Sequence, residues 1–234
     1  MTWTIEPIGI IHTCFEEKFG IPRQPGLIPE ATGFIELCAP YDRAECVRGL
    51  EGFSHIWLSF IFHGCPEGQW SPTVRPPRLG GNERVGVFAT RSTFRPNAMG
   101  LSVVEIDRIE VDPVVRIYVR GHDLMDQTPI VDIKPYLTWA DSLPHATSGF
   151  AREEPSPIPV RFTSEAEASL EALEPNHPTI KSLIERVIGF DPRPAYKQKD
   201  SASQAFGVKL SGLNIRWVVE DGAARIEEIT RTTS

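Results

Sequence analysis

The sequence predicts a mainly β protein with a small α+β unit at its C-terminal end, and three observations carry this prediction. Between Thr2 and Asp132 the apolar residues come in short runs rich in Ile, Val and Phe, separated by Gly, Pro and Asn. No apolar stripe with a helical period separates these runs, which disfavours alternating strands and helices. After Tyr136 the pattern changes to a segment rich in Pro and Ser, and then to helical stretches.

Seven runs in the first part have the length and composition of strands. In chain order they are WTIEPIGIIHT, TGFIELCAP, FSHIWLSFIFHG, RVGVFATR, LSVVEIDRIEV, VVRIYVRG and PIVDIKP. Many short strands joined by turn residues are typical of a sheet that closes into a barrel or folds into a sandwich. Two connections, EEKFGIPRQPGLIPEA and CPEGQWSPTVRPPRLGGN, are unusually long, and long loops commonly carry function.

The C-terminal part is predicted to form a unit of its own. Residues 143–159 have the composition of a linker between a domain over residues 1–142 and a domain over residues 160–234. Thr163 is the expected N-cap of a helix over TSEAEASLEAL, and HPTIKSLIERVIGF predicts a second helix. The apolar face of the second helix comprises Ile180, Leu183, Ile184, Val187 and Ile188. Three strand-like runs follow: QAFGVKLS, NIRWVVED and ARIEEITR.

Composition excludes several classes of protein. No run approaches the roughly 20 apolar residues of a membrane span, and the first residues lack the pattern of a signal peptide, so we expect a cytoplasmic protein without membrane association. The four cysteines have no C-x-x-C spacing and the six histidines no ligand spacing, so neither a metal site nor a disulfide framework is expected. A net charge of -7 argues against indiscriminate coating of nucleic acid.

Positive charge is nevertheless concentrated in one stretch, RPPRLGGNERVGVFATRSTFRPNAMG, at residues 75–100. Its five arginines are Arg75, Arg78, Arg84, Arg91 and Arg95. Guanidinium groups suit carboxylates and phosphates, so the stretch predicts selective anion binding, with Arg91 and Arg95 projecting together if one strand holds both. The alternative is a set of ion pairs with acids such as Glu105 and Asp107. The stretch matches neither G-x-x-x-x-G-K-[ST] nor G-x-G-x-x-G, so it is not a Walker or Rossmann loop.

Two further motifs place polar or aromatic groups in loops. In GIPRQPG, flanking prolines stiffen a loop that presents Arg23 and Gln24, although a rigid surface loop that binds nothing has the same pattern. In FIFHGCP, Phe62 and His63 end an apolar run. A histidine there either contacts a ligand or packs half-buried.

The acidic motif GHDLMDQTPIVDIKPYL offers carboxylates that can accept hydrogen bonds from ribose hydroxyls or an amino group. Asp132 and Lys134 are two apart and can share one face of a strand. Capping of turns is the alternative role for Asp123 and Asp126. Nearer the C-terminus, GFDPRPAYKQK combines cations with an aromatic ring, a composition suited to phosphates and an unpaired base. Its candidate residues are Arg193, Tyr196 and Lys197.

Five motifs, in this order, resemble the TrmO family, also called YaeB or TsaA-like proteins. They are PRQPGL, YDRAECVRGLEGFSHIW, PTVRPPRLGGNERVGVFATRSTFRPN, DLMDQTPIVDIKPYL and DPRPAYK, and the resemblance covers nearly the whole chain. It implies a single-sheet β-barrel that works as a homodimer. It also implies S-adenosylmethionine-dependent methylation of N6 of threonylcarbamoyl-adenosine, next to the anticodon of threonine tRNAs, with the anticodon arm as partner.

The resemblance implies a set of cofactor-binding residues as well. They are Arg23, Gln24, Pro25, Phe62, His63, Arg91, Leu101, Asp126, Gln127, Thr128 and Pro129. Contacts with tRNA are expected from Arg75, Arg78, Arg84, Arg95, Lys134, Arg193, Tyr196 and Lys197. The candidate proton acceptors are Asp126, Asp132 and Tyr136.

Position 127 departs from the family's pattern, because Gln127 stands where the family has Gly. A turn with positive φ at this residue would cost on the order of 1 kcal/mol. Two alternatives to the implied function are a non-catalytic RNA-binding barrel and a hydrolase that uses Asp123, Asp126 and Asp132.

Overall fold

The computed structural model describes residues 4–66, 68–80, 82–173, 177–194 and 204–232. The strands are β1 Gly9–Thr13, β2 Thr32–Leu37, β3 His55–Ile61, β4 Thr73–Val74, β5 Val85–Gly86, β6 Met99–Glu110, β7 Arg116–Arg120, β8 Thr128–Pro135, β9 Val160–Phe162, β10 Ala205–Leu210, β11 Leu213–Glu220 and β12 Ala223–Arg231. The α-helices are α1 Ala44–Val47, α2 Thr138–Asp141, α3 Ser164–Leu173 and α4 Ile180–Gly189.

Six strands form a closed barrel in the order β1-β2-β7-β6-β3-β8, with β8 pairing back to β1. Neighbouring strands are antiparallel, and alternate residues such as Ile56, Leu58 and Phe60 of β3 point into a buried apolar core. This closure confirms the predicted barrel and excludes the sandwich.

One predicted strand is wrong. The run RVGVFATR forms only the two-residue strand β5, which pairs with β4 outside the barrel, and then a 3-10 turn over Val87–Ala89. Val87 is buried, whereas Phe88 is 77% exposed. Its partner β4 also has only two residues, so the pairing does not extend into a longer strand. Arg91 and Arg95 consequently lie in a loop, and no strand projects them together.

Antiparallel connectivity places three connections, two of them long, at the same end of the barrel. Residues 14–31 join β1 to β2, residues 62–98 join β3 to β6, and residues 121–127 join β7 to β8. We call this the loop end. The connections at residues 38–54 and 111–115 lie at the opposite end, as does the chain that leaves β8.

The C-terminal part forms a four-stranded sheet in the order β10-β11-β12-β9, against which α3 and α4 pack. Strand β9 pairs parallel to β12 and was not predicted, since it has only three residues. The predicted N-cap is confirmed, because the Thr163 hydroxyl accepts a hydrogen bond from the Ala166 N–H at 3.2 Å. The predicted apolar face of α4 is confirmed as buried.

The loop-end segment 14–31 packs into the core of the C-terminal part. Phe15, Ile28 and Ala31 are buried in one apolar cluster with α3, α4 and the second sheet. The Ser211 N–H donates to the Cys14 carbonyl at 2.9 Å. The described residues 143–159 contain no helix or strand, and the division of the chain at this linker stays a prediction. No helix in the described part of the chain is long and apolar enough to cross a bilayer.

Candidate functional site

The residues implied as cofactor-binding all lie at the loop end, although they come from four separate parts of the sequence. They stand in the three connections of the loop end or within the first residues of β6 and β8. The antiparallel barrel therefore brings them to one region.

Two pairs of polar side chains lie close together at the loop end. Arg91 Nη1 donates a hydrogen bond to Gln24 Oε1, which joins the 62–98 and 14–31 segments. Ser102 Oγ, on the inward face of β6, donates to Asp123 Oδ1 at 2.6 Å. Burial raises the pKa of Asp123 to about 6, while the Ser102 hydrogen bond and the positive charge of Arg91 act in the opposite direction. We call Gln24, Arg91, Ser102 and Asp123 the Asp123 cluster.

An aromatic pair stands beside this cluster because Gly100 has no side chain. A Cβ at Gly100 would lie 2.3 Å from Cε2 and Cζ of Phe60 and 2.9 Å from Cζ of Phe62. The two rings meet edge to face, with centroids 5.2 Å apart. Phe62 thereby stays half-buried at the loop end, where it can cover an apolar ligand face. Leu101, on the outer face of β6, is 59% exposed.

The turn before β8 is held by side-chain hydrogen bonds. Asp126 Oδ1 accepts from the Thr13 N–H at 2.9 Å, and Thr128 Oγ1 donates to the Met125 carbonyl at 2.7 Å. Gln127 has a φ of 64°, so the positive-φ geometry is kept without glycine. The Gln127 side chain contacts His12 Nδ1 at 3.0 Å and Asp126 Oδ2 at 3.2 Å, which offsets part of the strain.

His63 lies on the rim of this turn. Burial lowers the pKa of His63. The charge of Lys18 also lowers this pKa, whereas the charge of Asp126 raises it. Lys18 Nζ also lies 3.9 Å from Cys65 Sγ. Neither Lys18 nor Ser102 was selected from the sequence. The sequence could have indicated Ser102, because it is a polar residue at an inward position of a strand. No feature of the sequence indicated Lys18.

The three candidate proton acceptors do not meet at one place. Asp126 holds the turn before β8 through its hydrogen bond with the Thr13 N–H. Asp132 Oδ2 lies 3.7 Å from Lys134 Nζ on the exposed side of β8. Tyr136 follows β8 at the opposite end of the barrel, roughly 26 Å along the strand from Thr128. Within a single chain β8 thus carries the Tyr136 ring away from the loop end, and a role for Tyr136 stays a prediction. Asp123 is the carboxylate at the loop end with a raised pKa.

The hydrolase alternative loses its basis in this arrangement. Asp123, Asp126 and Asp132 bind different partners and do not form a cluster. Within the described ranges, no three His, Cys, Asp or Glu side chains are grouped so that they could hold a metal ion.

None of the five arginines at residues 75–100 forms an ion pair with an acidic residue that the structure describes. The acids considered as partners are engaged elsewhere: Glu105 pairs with Arg120 at 2.8 Å, and Asp107 pairs with Arg108 at 3.1 Å. Four of the arginines, Arg78, Arg84, Arg91 and Arg95, instead donate to neutral groups. Arg84 bonds Thr73, Arg78 bonds the Glu153 carbonyl, and Arg95 bonds two carbonyls of its own loop. Their positive charge stays available to an anion.

Arg193 does not fit its expected contact with tRNA. Its side chain is 8% exposed and forms a two-point ion pair with Asp191, at 2.7 and 2.8 Å. Its carbonyl accepts a hydrogen bond from Arg23 Nη2 at 3.4 Å. Arg193 thus links the C-terminal part to the 14–31 segment instead of facing solvent. Tyr196 and Lys197 lie outside the described residues.

Arg23 completes this contact between the two parts of the chain. Burial lowers the pKa of Arg23; the charge of Asp191 raises it, and the charge of Arg78 lowers it. Two guanidinium groups therefore stand near one another at the loop end. An anion bound between them would relieve their repulsion.

Comparisons with known proteins agree with this architecture. Residues 10–142 match the family model described as the tRNA-methyltransferase O N-terminal domain, and residues 155–232 match the TrmO C-terminal domain. The Escherichia coli (strain K12) protein named tRNA (adenine(37)-N6)-methyltransferase is 47% identical over 228 residues, covering 96% of this chain and 97% of that protein. A Pseudomonas aeruginosa protein named putative S-adenosylmethionine-dependent methyltransferase RcsF is 45% identical, covering 93% of each chain.

Solved structures of TrmO proteins have the same fold as this chain. A crystal structure of TrmO from P. aeruginosa aligns with a TM-score of 0.82 at 36% identity, covering 99% of this chain and 98% of that one. Another TrmO crystal structure aligns with a TM-score of 0.81 at 35% identity, covering 98% of this chain and 100% of that one. With both domain models matched and relatives similar over the full length, the chain belongs to the TrmO family of methyltransferases.

Proposed function

We propose that this methyltransferase uses S-adenosylmethionine to methylate N6 of adenosine 37 in tRNA, and that the natural substrate is the threonylcarbamoyl-modified adenosine next to the anticodon of threonine tRNAs. The observation that carries the proposal is the loop end itself. A half-buried carboxylate of raised pKa, a half-buried aromatic ring and several arginines that pair with none of the described acids lie there. The relatives named as tRNA (adenine(37)-N6)-methyltransferases support the reaction and its position.

The side chains at the loop end match the chemical parts of the proposed methyl donor. Arg91 offers a guanidinium for the carboxylate of the methionine portion. The turn at Asp126 and Gln127 offers acceptors and donors for ribose hydroxyls and adenine, and Phe62 offers an apolar face. Thr128 has a buried hydroxyl that closes the turn, so its role is to shape the site. When bound, S-adenosylmethionine supplies a methyl group on a sulfonium, which is a good leaving group.

The chain's own residues have three tasks in this reaction. The polar turn and Arg91 orient the bound groups, so that the reacting atoms meet in line. The rings of Phe60 and Phe62 exclude water from one side. The nitrogen must also lose a proton, and Asp123 is the acceptor that we propose, in place of Asp126, Asp132 or Tyr136. Its half-buried carboxylate combines a pKa near neutrality with a place at the loop end.

The modified nucleoside adds a carboxylate that plain adenosine lacks, and the loop end offers cations for it. Arg23 and Arg78 are near one another, while Arg75 and Arg84 are exposed. The phosphates of the tRNA backbone need cations as well. Because the protein is acidic overall, we expect these arginines to bind the anticodon arm. Lys134 is exposed on β8 and stays a candidate contact.

We further propose that two copies of the chain work as a homodimer in the cytoplasm, where the tRNA substrate is found. The exposed Leu101 supports the dimer, because its side chain stands on the outer face of β6 although the family likeness assigns it to the cofactor. Cover of this side chain by a second chain would remove apolar surface from water.

Transfer of labelled methyl from S-adenosylmethionine to tRNA tests the proposal. We expect label in threonine tRNA that carries the threonylcarbamoyl group and none in the same tRNA without it, because the added carboxylate supplies the anion that the arginines bind. Both tRNAs are incubated with full-length chain, and the labelled nucleoside is identified after digestion. Label in neither tRNA would rule out the proposed reaction. Equal label in both would rule out the requirement for the modification.

Replacement of Arg91 by Gln tests the carboxylate contact. A hydrogen bond to a charged group contributes about 1.5–3 kcal/mol, so affinity for S-adenosylmethionine should fall roughly 10- to 150-fold in titration calorimetry. Arg84→Gln is the matched control: it removes the same charge from the same loop and should leave the affinity unchanged. The acidic limb of the pH–rate profile should also move to higher pH, because Arg91 lowers the pKa of Asp123. Unchanged cofactor affinity in Arg91→Gln would refute the contact.

A further inference from the structure

The 62–98 segment exposes aromatic side chains among its arginines. Phe88 is 77% exposed, Trp70 is 51% exposed and Phe94 is 44% exposed. Apolar rings are normally withdrawn from water. Three such rings in one loop at the end that holds the candidate site therefore call for a binding role.

Phe88 is held in its exposed position by its neighbours. It stands in the 3-10 turn Val87–Ala89, whose first residue is buried and fixes the turn to the body of the protein. Arg95 Nη1 donates to the Thr90 carbonyl at 2.8 Å and to the Val87 carbonyl at 3.3 Å. The Arg95 guanidinium carbon also lies 5.9 Å from the centre of the Phe88 ring. A ring fixed in this way loses little conformational entropy on binding.

The charge carried by the same 62–98 segment indicates the kind of partner. Arg75, Arg78 and Arg84 make no ion pair with the acids that the structure describes, so the surface is apolar and positive at once. Aromatic rings beside uncompensated cations are the means by which proteins bind single-stranded nucleic acid, with bases stacked on the rings and phosphates on the cations. A second protein surface would have to bring its own acids to meet the same arginines.

We propose that Phe88 is a stacking platform for an unpaired base of the anticodon loop, with Arg75 and Arg84 binding the phosphates beside it. The inference rests on the proposed function, since it takes tRNA as the substrate. It adds that the 62–98 segment recognises the opened, single-stranded shape of the loop. Arg95 acts as a positioning residue for the ring.

Binding of a fluorescein-labelled RNA hairpin with the sequence of the anticodon arm, measured by anisotropy over a series of salt concentrations, tests the inference. Base stacking on an aromatic side chain predicts that Phe88→Ala weakens binding between about 5-fold and about 150-fold at every salt concentration. Phe88→Tyr should restore most of the affinity, because tyrosine also presents a flat ring. Arg75→Gln should instead reduce the slope of log K against log salt by about 0.7–0.9.

The controls separate this inference from its rivals. Val111→Ala removes an exposed apolar side chain at the opposite end of β6 and should bind the hairpin like the unaltered chain. Circular dichroism and calorimetry with S-adenosylmethionine should be unchanged in Phe88→Ala. Normal hairpin affinity in Phe88→Ala, failure of Phe88→Tyr to restore binding, or a change in sedimentation that makes Phe88 a contact between copies would each overturn the inference. Methyl transfer by the unaltered chain is measured in parallel, so failure of the inference is distinguished from failure of the proposed function.

Discussion

Replacing Asp123 by Asn should lower the rate of methyl transfer by about 10²- to 10⁴-fold, the usual contribution of a positioned proton acceptor. The substitution keeps the size of the side chain and its capacity to accept the Ser102 hydrogen bond, which measures 2.6 Å. It removes the negative charge and with it the capacity to take a proton. Single-turnover transfer at saturating cofactor measures the effect, and calorimetry should find cofactor affinity almost unchanged.

The raised pKa of Asp123 also predicts how the rate of methyl transfer changes with pH. Because burial raises the pKa of Asp123 to about 6, the carboxylate form dominates above that value and the protonated form below it. The rate should therefore be level above about pH 6 and fall about tenfold for each pH unit below it. The Asp123→Asn variant should lose this acidic limb.

Asp132→Asn is the matched control, since it alters a carboxylate of the same size on the exposed side of β8. That variant should keep both its rate and its acidic limb. If Asp123→Asn were as fast as the unaltered chain, or kept the limb, the proton acceptor would have to be another group. A loss in Asp132→Asn and none in Asp123→Asn would restore one of the candidates chosen from the sequence.

Replacing Trp217 by Ala should reduce the free energy of unfolding by about 3–5 kcal/mol, the cost of truncating a large buried ring. Trp217 is fully buried in the C-terminal core, and the ring of Phe19 stacks near it with centroids 5.9 Å apart. For a chain of this length the loss corresponds to a midpoint lower by roughly 6–20 °C in thermal unfolding.

The same substitution should weaken cofactor binding, although Trp217 is far from the candidate site in the sequence. Phe19 belongs to the 14–31 segment and precedes Arg23 by four residues, so a cavity beneath its ring loosens the loop that presents Arg23 and Gln24. Calorimetry with S-adenosylmethionine, at a temperature where both proteins are folded, measures this effect. Trp139→Ala serves as control, because that ring is 83% exposed and its loss should change stability by less than about 0.5 kcal/mol. Full affinity in Trp217→Ala would mean that the barrel alone positions the segment.

Local pattern was enough to predict most of the fold. Alternating apolar residues identified β3 and β6, and the apolar face of α4 is buried as expected. The prediction of a strand over RVGVFATR failed for a local reason. Val87 and Phe88 are both apolar, and yet Val87 is buried and Phe88 is exposed. A run of apolar residues does not distinguish a strand from a 3-10 turn that shows one ring to solvent.

The site was less predictable, because it depends on which strands become neighbours. Ser102 and Asp123 are 21 residues apart, and only the register of the barrel brings their side chains together. Resemblance to the family supplied Arg91, whereas residue type alone left its role open. Arg193 was assigned to tRNA on its charge, and the sequence pattern did not show that its side chain pairs with Asp191, two residues earlier.

The burial of Phe15 and Ile28 in the C-terminal core also affects the order in which the parts of the protein fold. Glu17 accepts a hydrogen bond from the Lys209 N–H, and Glu16 accepts one from the Gly212 N–H, across separations of 192 and 196 residues. During synthesis the barrel strands leave the ribosome long before these partners exist. Contacts at such separation form late, since the ends of a long loop must first be brought together. The barrel strands can therefore pair before the 14–31 segment has its partners, and the packing of the segment that carries Arg23 and Gln24 is completed only once β10 and β11 have been made.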